Sequence, residues 1–435
     1  MELKKYRRKR EIPIGWKEIK LGDVFRTSSG ATPLTTELSY YEGGNIPWIN
    51  SGELASPYIY STSNYITQKG FDNSSTEIYP KGTILVAMYG ATAGKASMLK
   101  ITACTNQAIC AILPNDDYCP EFIKYNIDTL YEHLVGLSSG SARDNLSQAG
   151  LKELKLVLPK TKKEQENLIA VLSLLDSKIE LNKQINDNLE AMAKQLYDYW
   201  FVQFDFPNEE GKPYKSSGRA MVWNEKLKRE IPVGWSVKNL GQIATSYQQG
   251  LIRSNNQLST DSKYGYLKMG DLDGKGQYTL QGLTRTNATN EEVDLYSLHK
   301  GDFLINVRNS KEIVGKTCLI GYVERNTLYN HMLVRLDFKD VSTFYMNLLF
   351  NSEFMYKALD GLKQGTTTVI ALYQSDLYRL PILIPAPYVM EQFSKITDSI
   401  LDQKEIISHE IAELTKQRDE LLPLLMNGQA VVNSD

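Results

Sequence analysis

The feature that most constrains the fold of this 435-residue chain is that the sequence is duplicated. The segment K-R-E-I-P-I-G-W-K-E-I-K-L-G (9–22) recurs as K-R-E-I-P-V-G-W-S-V-K-N-L-G (228–241), with nine of fourteen positions identical. Further matches follow in the same order, and the last pairs K-E-Q-E-N-L-I (163–169) with M-E-Q-F-S-K-I (390–396). Solenoid repeats are only about 20–50 residues long, so repeats of this size predict two copies of one fold.

Each copy begins with a part that is rich in Gly, Thr and Tyr. Its short apolar runs between turn signals predict short strands and loops, with helices near 121–134 and 341–359. The segments 9–22 and 228–241 would each begin such a part. Ile12, Ile14 and the tryptophans Trp16 and Trp235 are the apolar residues expected to pack on its core.

Each copy ends in a part with helical periodicity. No Pro or Gly occurs from 163 to about 203, and a similar pattern begins at 389. Both predict long helices with one narrow apolar seam, which favours pairing of the two helices with each other as a coiled coil. Pro423 is expected to kink or end the second helix early. The predicted seams consist of Leu168, Leu172, Leu175, Ile179, Ile185, Leu189, Met192 and Leu196, and of Ile396, Ile400, Ile407, Ile411, Leu414, Leu421 and Leu425.

Composition excludes several classes of protein. Hydrophobic residues make up 42% and charged residues 23%, as in globular proteins. There is no apolar run long enough for a membrane span and no secretory signal. Four cysteines without C-x-x-C spacing indicate a reduced cytoplasmic protein without structural zinc. The net charge of −2 gives no overall basic field, so any DNA binding must come from local clusters.

Two fragments resemble phosphate-binding loops but depart from the motif. S-K-E-I-V-G-K-T (310–317) has Ser310 where the first glycine belongs, and Y-G-A-T-A-G-K-A (89–96) has Tyr89 there. That glycine permits the tight turn that aims amides at phosphates. We therefore interpret both as strand-to-loop turns, and we predict no catalytic residues, no metal site and no cofactor bound by this chain.

Polar stretches occur at matching places in both copies. Arg, Asn, Gln, Ser and Thr side chains hydrogen-bond base edges, whereas Lys and Arg also bind phosphates. Because the repeated segments around them agree while these stretches differ, the two copies would recognise two different DNA sequences. Any single residue among them could instead be a solvated loop residue, as could the basic run 4–10. The DNA-binding candidates are Arg26, Ser29, Thr32, Tyr89, Lys95, Ser141, Arg143, Asn145, Gln249, Arg253, Asn255, Arg308, Asn309, Lys311, Lys316, Thr366 and Thr367.

Over essentially its whole length the chain resembles the specificity subunits of type I restriction–modification systems. The resemblance rests on the P-x-G-W-x-x-x-x-L-G segments at 13–22 and 232–241, and on the L-L-D-S-K-I-E-L-N-K-Q-I-N helix with its Y-D-Y-W-F-V-Q-F-D-F-P exit (197–207). The C-terminal L-L-P-L-L-M-N-G segment completes it.

This resemblance implies an α+β fold with two pseudo-symmetric globular α/β target-recognition domains joined by two long antiparallel coiled-coil helices. The expected boundaries are 1–158 and 230–385 for the two domains, 159–204 for the central helix, 205–229 for a linker and 386–435 for the C-terminal helix.

The resemblance also implies a function. Each domain would recognise one half of a bipartite, asymmetric site on double-stranded DNA, and the helices would set the gap between the half-sites. The subunit itself would be non-catalytic. It would dock two methyltransferase subunits, which use S-adenosylmethionine, and up to two restriction subunits, which use ATP and Mg²⁺.

Three alternatives remain at this stage. A stand-alone DNA-binding regulatory protein would have the same domains without a methyltransferase. A hydrolase or ATPase would use the V-G-K-T segment at 314–317. A pure coiled-coil scaffold would leave the paired, divergent loops unexplained.

Overall fold

The computed structural model describes residues 12–139, 146–280, 282–365 and 370–430, with residues 138 and 139 described by their backbone only. The chain divides into two compact units. Unit 1 comprises the chain up to Ile179 and again from Glu413 onwards, and unit 2 comprises Glu180–Ala412.

Unit 1 is built around a five-stranded sheet in the order β2-β9-β6-β7-β4. β6 and β9 are short apolar runs with every residue buried, as expected for strands covered on both faces. A smaller sheet has the order β5-β3-β8, and β1 pairs antiparallel with β10. The strands described here are β1 (Trp16–Lys20), β2 (Thr27–Ser29), β3 (Ile46–Ile49), β4 (Tyr58–Ile59), β5 (Tyr65–Ile66), β6 (Ile84–Ala87), β7 (Ala96–Leu99), β8 (Cys104–Thr105), β9 (Ile109–Ile112) and β10 (Lys155–Pro159).

The region 121–134 contains two helices, where the sequence predicts one. The first ends at Asp128, where the Leu130 N–H bonds to the Ile127 carbonyl three residues back rather than four, and a new helix follows. The helices of this part of the chain are α1 (Leu21–Val24), α2 (Gln68–Asp72), α3 (Pro120–Asp128), α4 (Tyr131–Ser139), α5 (Gln148–Lys152) and the long α6 (Lys162–Tyr197).

Unit 2 repeats this arrangement. Its four-stranded sheet has the order β14-β22-β18-β20, a second has the order β15-β17-β16-β21, and a small third has the order β19-β24-β23. The strands described here are β11 (Met221–Asn224), β12 (Arg229–Pro232), β13 (Ser236–Asn239), β14 (Gln248–Gln249), β15 (Leu258–Ser259), β16 (Tyr264–Leu267), β17 (Arg285–Thr286), β18 (Phe303–Asn306), β19 (Arg308–Asn309), β20 (Thr317–Leu319), β21 (Leu328–Tyr329), β22 (Leu333–Leu336), β23 (Gln364–Gly365), β24 (Ile370–Ala371) and β25 (Pro381–Ile384).

The region 341–359 also holds two helices instead of the predicted one. Ser352 starts the second by accepting a hydrogen bond from the backbone N–H of Met355, the usual role of a serine N-cap. The helices described here are α7 (Leu240–Ile243), α8 (Asn290–Tyr296), α9 (Thr343–Phe350), α10 (Glu353–Leu362), α11 (Gln374–Leu377) and the long α12 (Pro387–Met426).

The sheets of the two units correspond strand by strand. β1 pairs with β10 as β13 pairs with β25, and the order β2-β9-β6-β7 matches β14-β22-β18-β20. In the smaller sheets, the parallel pair β3·β8 matches the parallel pair β16·β21. The prediction of two copies of one α+β fold is therefore confirmed.

The two long helices pair antiparallel. In unit 2, Asn182 Nδ2 donates to Glu410 Oε2 at 2.9 Å, Asn186 Nδ2 to Ser408 Oγ at 3.2 Å, and Lys404 Nζ to the carboxylate of Glu190. Partner numbers fall on α12 as they rise on α6, which defines the antiparallel sense. In unit 1, Arg418 of α12 likewise contacts Asp176 of α6.

Parts of the predicted seams are wrong. Ile185, Met192 and Ile396 are 37, 59 and 43% exposed, whereas Ala193 is fully buried. Ile185 and Met192 lie on a different face of α6 from the buried Leu172 and Ile179. Spacing alone did not separate these two apolar stripes, because both repeat at three- and four-residue steps.

Pro423 does not end α12 at the proline. The helix continues to Met426, and the N–H of Asn427 bonds to the carbonyl of Pro423 at 3.1 Å. A proline one turn from a C-terminus removes a single internal hydrogen bond, which this last turn tolerates.

The segment that begins each copy packs less closely than predicted. Ile14 is fully exposed within a turn closed by the Trp16 N–H on the Pro13 carbonyl, and Ile12, which precedes this turn, is 46% exposed. Trp16 packs on the core as expected, with its ring edge on Phe122, but it is only half-buried.

Trp235 is buried, as predicted. It is covered by a cluster of three phenylalanines, whose ring centroids lie at 5.8, 5.5 and 5.1 Å from its own: Phe201, Phe204 and Phe206.

Candidate nucleic-acid interface

Four strand ends meet at one end of the main sheet of unit 1. The strands alternate in direction, with Ser29 opposite Cys110, Ala87 opposite Ile109 and Val86 opposite Ala96. The end of β2, the start of β9, the end of β6 and the start of β7 therefore meet. We call the residues 29–32, 88–95 and 106–108 the loop edge of unit 1.

Four predicted residues lie on this edge: Ser29, Thr32, Tyr89 and Lys95. The ring of Tyr89 is half exposed, and the hydroxyl of Thr32 donates to Gln107 Oε1. Arg26 is not among them. It lies at the other end of β2, where its guanidinium pairs with Glu77 at 2.8 Å.

Sequence reasoning missed three neighbours on or beside this edge. Gln107 is the partner of Thr32, and the adjacent Asn106 contacts the side-chain oxygen of Asn50 at 3.4 Å. The signal available was position, since Asn106 and Gln107 directly precede the buried strand β9. The loop edge of unit 1 is thus mostly uncharged amide and hydroxyl groups, which can both donate to and accept from base edges.

The turn 89–96 is not a phosphate loop. It joins two strands, and β7 begins at Ala96 where a phosphate loop would start a helix. Gly94 has a φ of +81° and lies against α4, where an added Cβ would come within 3.2 Å of Leu134. The glycine is explained by this turn and its packing. The prediction of a strand-to-loop turn is confirmed here, and likewise at 310–317, where β20 follows Gly315.

The corresponding edge of unit 2 carries a net positive charge, since Arg308, Lys311 and Lys316 outnumber its one carboxylate, Glu312. The end of β14, the start of β22, the end of β18 and the start of β20 meet there, since Val334 pairs with both Gln249 and Ile305, and Ile305 also pairs with Thr317. We call the residues 249–251, 307–316 and 330–332 the loop edge of unit 2. The predicted residues that lie on it are Gln249, Arg308, Asn309, Lys311 and Lys316.

These side chains are not equally free. Arg308 is exposed on β19, which pairs with β24 in the small sheet, and Lys311 is exposed in the turn that follows. Lys316 is partly buried, and its ammonium donates to the Leu272 carbonyl at 3.3 Å. Arg308 and Lys311 are therefore the better placed cations for a ligand.

His331 is a residue of this edge that sequence reasoning did not select. Its Nδ1 is buried and, within the described part of the chain, has no hydrogen-bond partner. Burial, followed by the nearby positive charge of Arg308, lowers the pKa of His331 below its ordinary 6.5. The imidazole is therefore neutral at pH 7, when it can both donate and accept hydrogen bonds.

Arg253 and Asn255 lie away from this edge, beside a polar cleft of about 800 Å³. The guanidinium of Arg253 pairs with Glu292 at 2.6 Å and also donates to the carbonyls of Ile252 and Asn287. Its side chain is only 9% exposed. Arg253 thus holds the cleft wall together, while Asn255 is exposed in a short 3-10 turn.

The other five candidates lie outside the described residues: Ser141, Arg143, Asn145, Thr366 and Thr367.

The cysteines of the chain are poor nucleophiles. All four are buried and free, and burial raises the pKa of Cys104 to about 11 and that of Cys110 to about 12. Within the described ranges, no three His, Cys, Asp or Glu residues are grouped so that they could hold a metal ion. Nor does any helix there combine the length and apolarity needed to cross a bilayer.

Comparison with known proteins places the fold in a family. Residues 13–191 and 232–416 match the type I restriction modification DNA specificity domain. The specificity subunit of the MjaIX type I restriction enzyme of Methanocaldococcus jannaschii is 29% identical over 435 residues, spanning 96% of this chain and 94% of that protein. The HindI specificity subunit of Haemophilus influenzae is 23% identical, spanning 95% and 99%.

A solved structure has the same fold. The crystal structure of the S subunit of a type I restriction-modification system from M. genitalium aligns with a TM-score of 0.50 at 15% identity, covering 98% of this chain and 99% of the other. The duplicated match covers most of the sequence, and it confirms the resemblance drawn from the P-x-G-W segments. Members of the type I restriction–modification DNA specificity family are the non-catalytic specificity subunits of their complexes, and membership implies that the subunit binds no cofactor of its own. The chain belongs to this family.

Proposed function

We propose that this chain recognises a bipartite, asymmetric DNA site, with unit 1 contacting one half-site through its loop edge and unit 2 contacting the other through its own. The observation that carries the proposal is that the two loop edges occupy the same place on corresponding sheets but differ in chemistry. Ser29, Thr32 and Gln107 offer uncharged hydrogen-bonding groups, whereas Arg308 and Lys311 offer cations. Two copies of one frame with different contact groups suit two different half-sites.

In protein–DNA complexes, contacts to phosphates position the protein and contacts to base edges give sequence specificity, and the two loop edges offer groups suited to both. Cations at the edge of unit 2 can bind phosphates and fix register, and a guanidinium such as that of Arg308 can also contact guanine in the major groove. Amides and hydroxyls at the edge of unit 1 can select bases. The candidates outside the described ranges, 141–145 and 366–367, remain part of the proposal.

The catalytic partners are part of the same proposal. Two methyltransferase subunits carrying S-adenosylmethionine would flip and methylate the target adenine, since a base in a duplex cannot be reached for methylation. Up to two restriction subunits using ATP and Mg²⁺ would complete the complex, which would act in the cytoplasm, where the four free cysteines stay reduced. Through the contacts that pair them in each unit, α6 and α12 would set the spacer between the half-sites.

An exposed apolar stripe on α6 supports a docking role for the helices. Leu181, Ile185 and Met192 are 56, 37 and 59% exposed and follow at steps of four and seven residues, which places them on one face. Ile406 of α12, in the same unit, is 67% exposed. Contiguous exposed apolar side chains commonly mark protein interfaces. We assign the stripe 181, 185, 192 to contact with a methyltransferase subunit.

The test is methylation sequencing of DNA from a host that expresses the chain with its methyltransferase. We expect N6-methyladenine in a bipartite motif with a fixed spacer. Methylation at a continuous palindrome, or none above a host lacking the chain, would overturn the proposal. Tight site-specific binding by the chain alone, without methylation, would favour a stand-alone regulatory protein.

A residue-level version separates the two half-sites. Arg308→Ala should relax base preference in one half-site only and weaken binding by about 1–3 kcal/mol if the guanidinium contacts guanine. Arg325→Ala is the matched control, because Arg325 is also exposed but follows the far end of β20. Equal effects of both substitutions would show that the edge has no special role.

A further inference from the structure

A buried polar network in unit 1 joins both long helices to the globular part. The Asp176 side chain of α6 is 5% exposed and accepts hydrogen bonds at one carboxylate oxygen from the hydroxyls of Tyr125 (2.6 Å) and Tyr58 (3.1 Å). Its other oxygen accepts from Arg418 Nη1 of α12 at 3.3 Å. One carboxylate thus holds four elements together: β4, α3, α6 and α12.

The tyrosines of this network are held as donors. The ammonium of Lys100 lies 4.7 Å from the centroid of the Tyr58 ring, and that of Lys124 lies at 5.2 Å. Burial, followed by the charge of Asp176, raises the pKa of Tyr58, and burial likewise raises that of Tyr125. Both hydroxyls therefore keep their protons and donate at any physiological pH.

Directional bonds of this kind fix geometry more than they add stability. Replacing a buried charged network by packed apolar groups is often neutral for stability, whereas each hydrogen bond tolerates only a few tenths of an ångström of displacement. A shift of α6 by one residue moves Asp176 by about 1.5 Å along the axis and about 100° around it. Such a shift would break all three bonds to its carboxylate.

In unit 2, Lys300 of the globular part pairs with Asp402 and Glu405 of α12, whereas α6 packs on the globular part through aromatic rings such as that of Tyr197. There, Phe201 lies between Tyr345 and Phe393 with ring centroids 4.8 Å apart in each case, and the hydroxyl of Tyr345 bonds to the Leu383 carbonyl. Aromatic packing has weaker orientation preferences than charged hydrogen bonds and can adapt to small shifts. Of these two regions, it is the one in unit 1 where a single carboxylate fixes the position of both helices.

We propose that Asp176, with Tyr58, Tyr125 and Arg418, positions the globular part of unit 1 on the paired helix segments of the same unit and so determines which spacer length the complex accepts. The proposal rests on the proposed function, in which each unit contacts one half-site. Adding one base pair to a spacer moves a half-site by about 3.4 Å and turns it by about 35°. Rejecting that DNA requires a joint that does not rotate, and the network supplies one.

The experiment measures methylation by the reconstituted complex with its methyltransferase. Substrates carry the native half-sites with the native spacer, or with one base pair more or fewer. Tyr125→Phe removes one hydroxyl and keeps the ring, and Asp176→Asn removes the charge and keeps the size. Tyr118→Phe is the control, because Tyr118 is buried in the same core but its hydroxyl contacts Lys17 outside the network.

We expect Tyr125→Phe and Asp176→Asn to lower the ratio of native-spacer to altered-spacer methylation by about tenfold, with unchanged base preference within each half-site. Tyr118→Phe should leave the ratio unchanged. An unchanged ratio in both network variants, with intact complexes by gel filtration, would overturn the proposal, as would an equal change in the control. Failure of the unsubstituted complex to methylate any bipartite site would instead refute the proposed function.

Discussion

At the scale of single residues, two glycines show how the loop edges are built. Gly30 follows β2, and a Cβ there would lie 1.9 Å from the Thr105 carbonyl oxygen. Gly250 follows β14 at the corresponding place, and its Cβ would lie 2.3 Å from the Tyr329 oxygen. In both units the chain leaves the main sheet by passing directly against the backbone of another strand, which only glycine allows.

Gly30→Ala should therefore destabilise unit 1. The clash is with backbone, which cannot rotate away, so we expect a loss of about 1–3 kcal/mol in the free energy of unfolding. Gly52→Ala is the control, since a Cβ at Gly52 meets nothing within 4 Å. Urea unfolding of the two variants compares them, and equal midpoints would contradict the prediction.

His331 predicts a pH dependence. Its pKa is lowered in the folded chain, so the unfolded state binds more protons as the pH falls below about 6.5. The stability that depends on neutral His331 is present above that pH and is lost on acidification. Between about pH 7.5 and 5.5, the melting temperature of His331→Gln should fall less than that of the unsubstituted chain. An equal fall in the melting temperature of both proteins would contradict the prediction.

At the scale of elements, the charged pair that joins α6 to α12 is less exposed to solvent than a charged pair within α12. Lys404 and Glu190 are 14 and 24% exposed, whereas Lys395 and Glu391, four residues apart on α12, are 72 and 69% exposed. Removal of Lys404 leaves Glu190 as an uncompensated, partly buried charge, whereas removal of Lys395 leaves Glu391 as a charge that water solvates.

Lys404→Met should cost about 1–2 kcal/mol in the free energy of unfolding, less than a fully buried pair would, because solvent reaches both groups. Lys395→Met should cost under about 0.5 kcal/mol. Adding Glu190→Gln to Lys404→Met should recover part of the loss in a double-mutant cycle. Strictly additive losses would show that the two side chains do not interact.

The exposed stripe on α6 gives a second element-scale prediction. Leu181→Lys combined with Met192→Lys should abolish co-purification with the methyltransferase while leaving the melting temperature nearly unchanged, because both side chains are already in solvent. Ala191→Lys, at an exposed position on another face of α6, should leave co-purification intact. Loss of binding in the control as well would mean that the face is not specific.

At the scale of the whole molecule, the duplicated sequence and the paired helices predict that specificity can be changed in separable parts. One heptad added to each helix beside the contact of Asn186 with Ser408 lengthens both by about 10 Å, equivalent to about three base pairs. The preferred spacer should lengthen by about that amount with the half-sites unchanged. Methylation that persists at the original spacer would contradict the role of the helices in spacing.

Much of the molecule could be predicted from the sequence. The duplication, the long helices, their pairing and the strand-to-loop turns at 89–96 and 310–317 follow from repetition, periodicity and glycine positions, whereas the antiparallel sense was implied by the family resemblance. Ser29 and Gln249 were selected as candidates because their stretches follow corresponding segments in the two copies, and both lie on the loop edges.

Other features could not be predicted, because they depend on contacts between distant residues. Arg253 and Arg308 both occur in polar loop sequence, yet Arg253 forms an ion pair with Glu292 whereas Arg308 is exposed. Ile185 and Leu189 both fit a helical seam, yet Ile185 is exposed.

The sequence by itself determined that one fold is used twice and that two amphipathic helices pair, since hydrophobic periodicity and repetition are local properties of the chain. Only the tertiary structure decided which polar side chains at the loop edges are exposed and which carboxylate links α6 and α12 to the globular part of unit 1. Asp176 sits among unremarkable helical residues, and its three partners are distant in the sequence. Burial and hydrogen bonding are set by what the fold brings together, which local sequence does not encode.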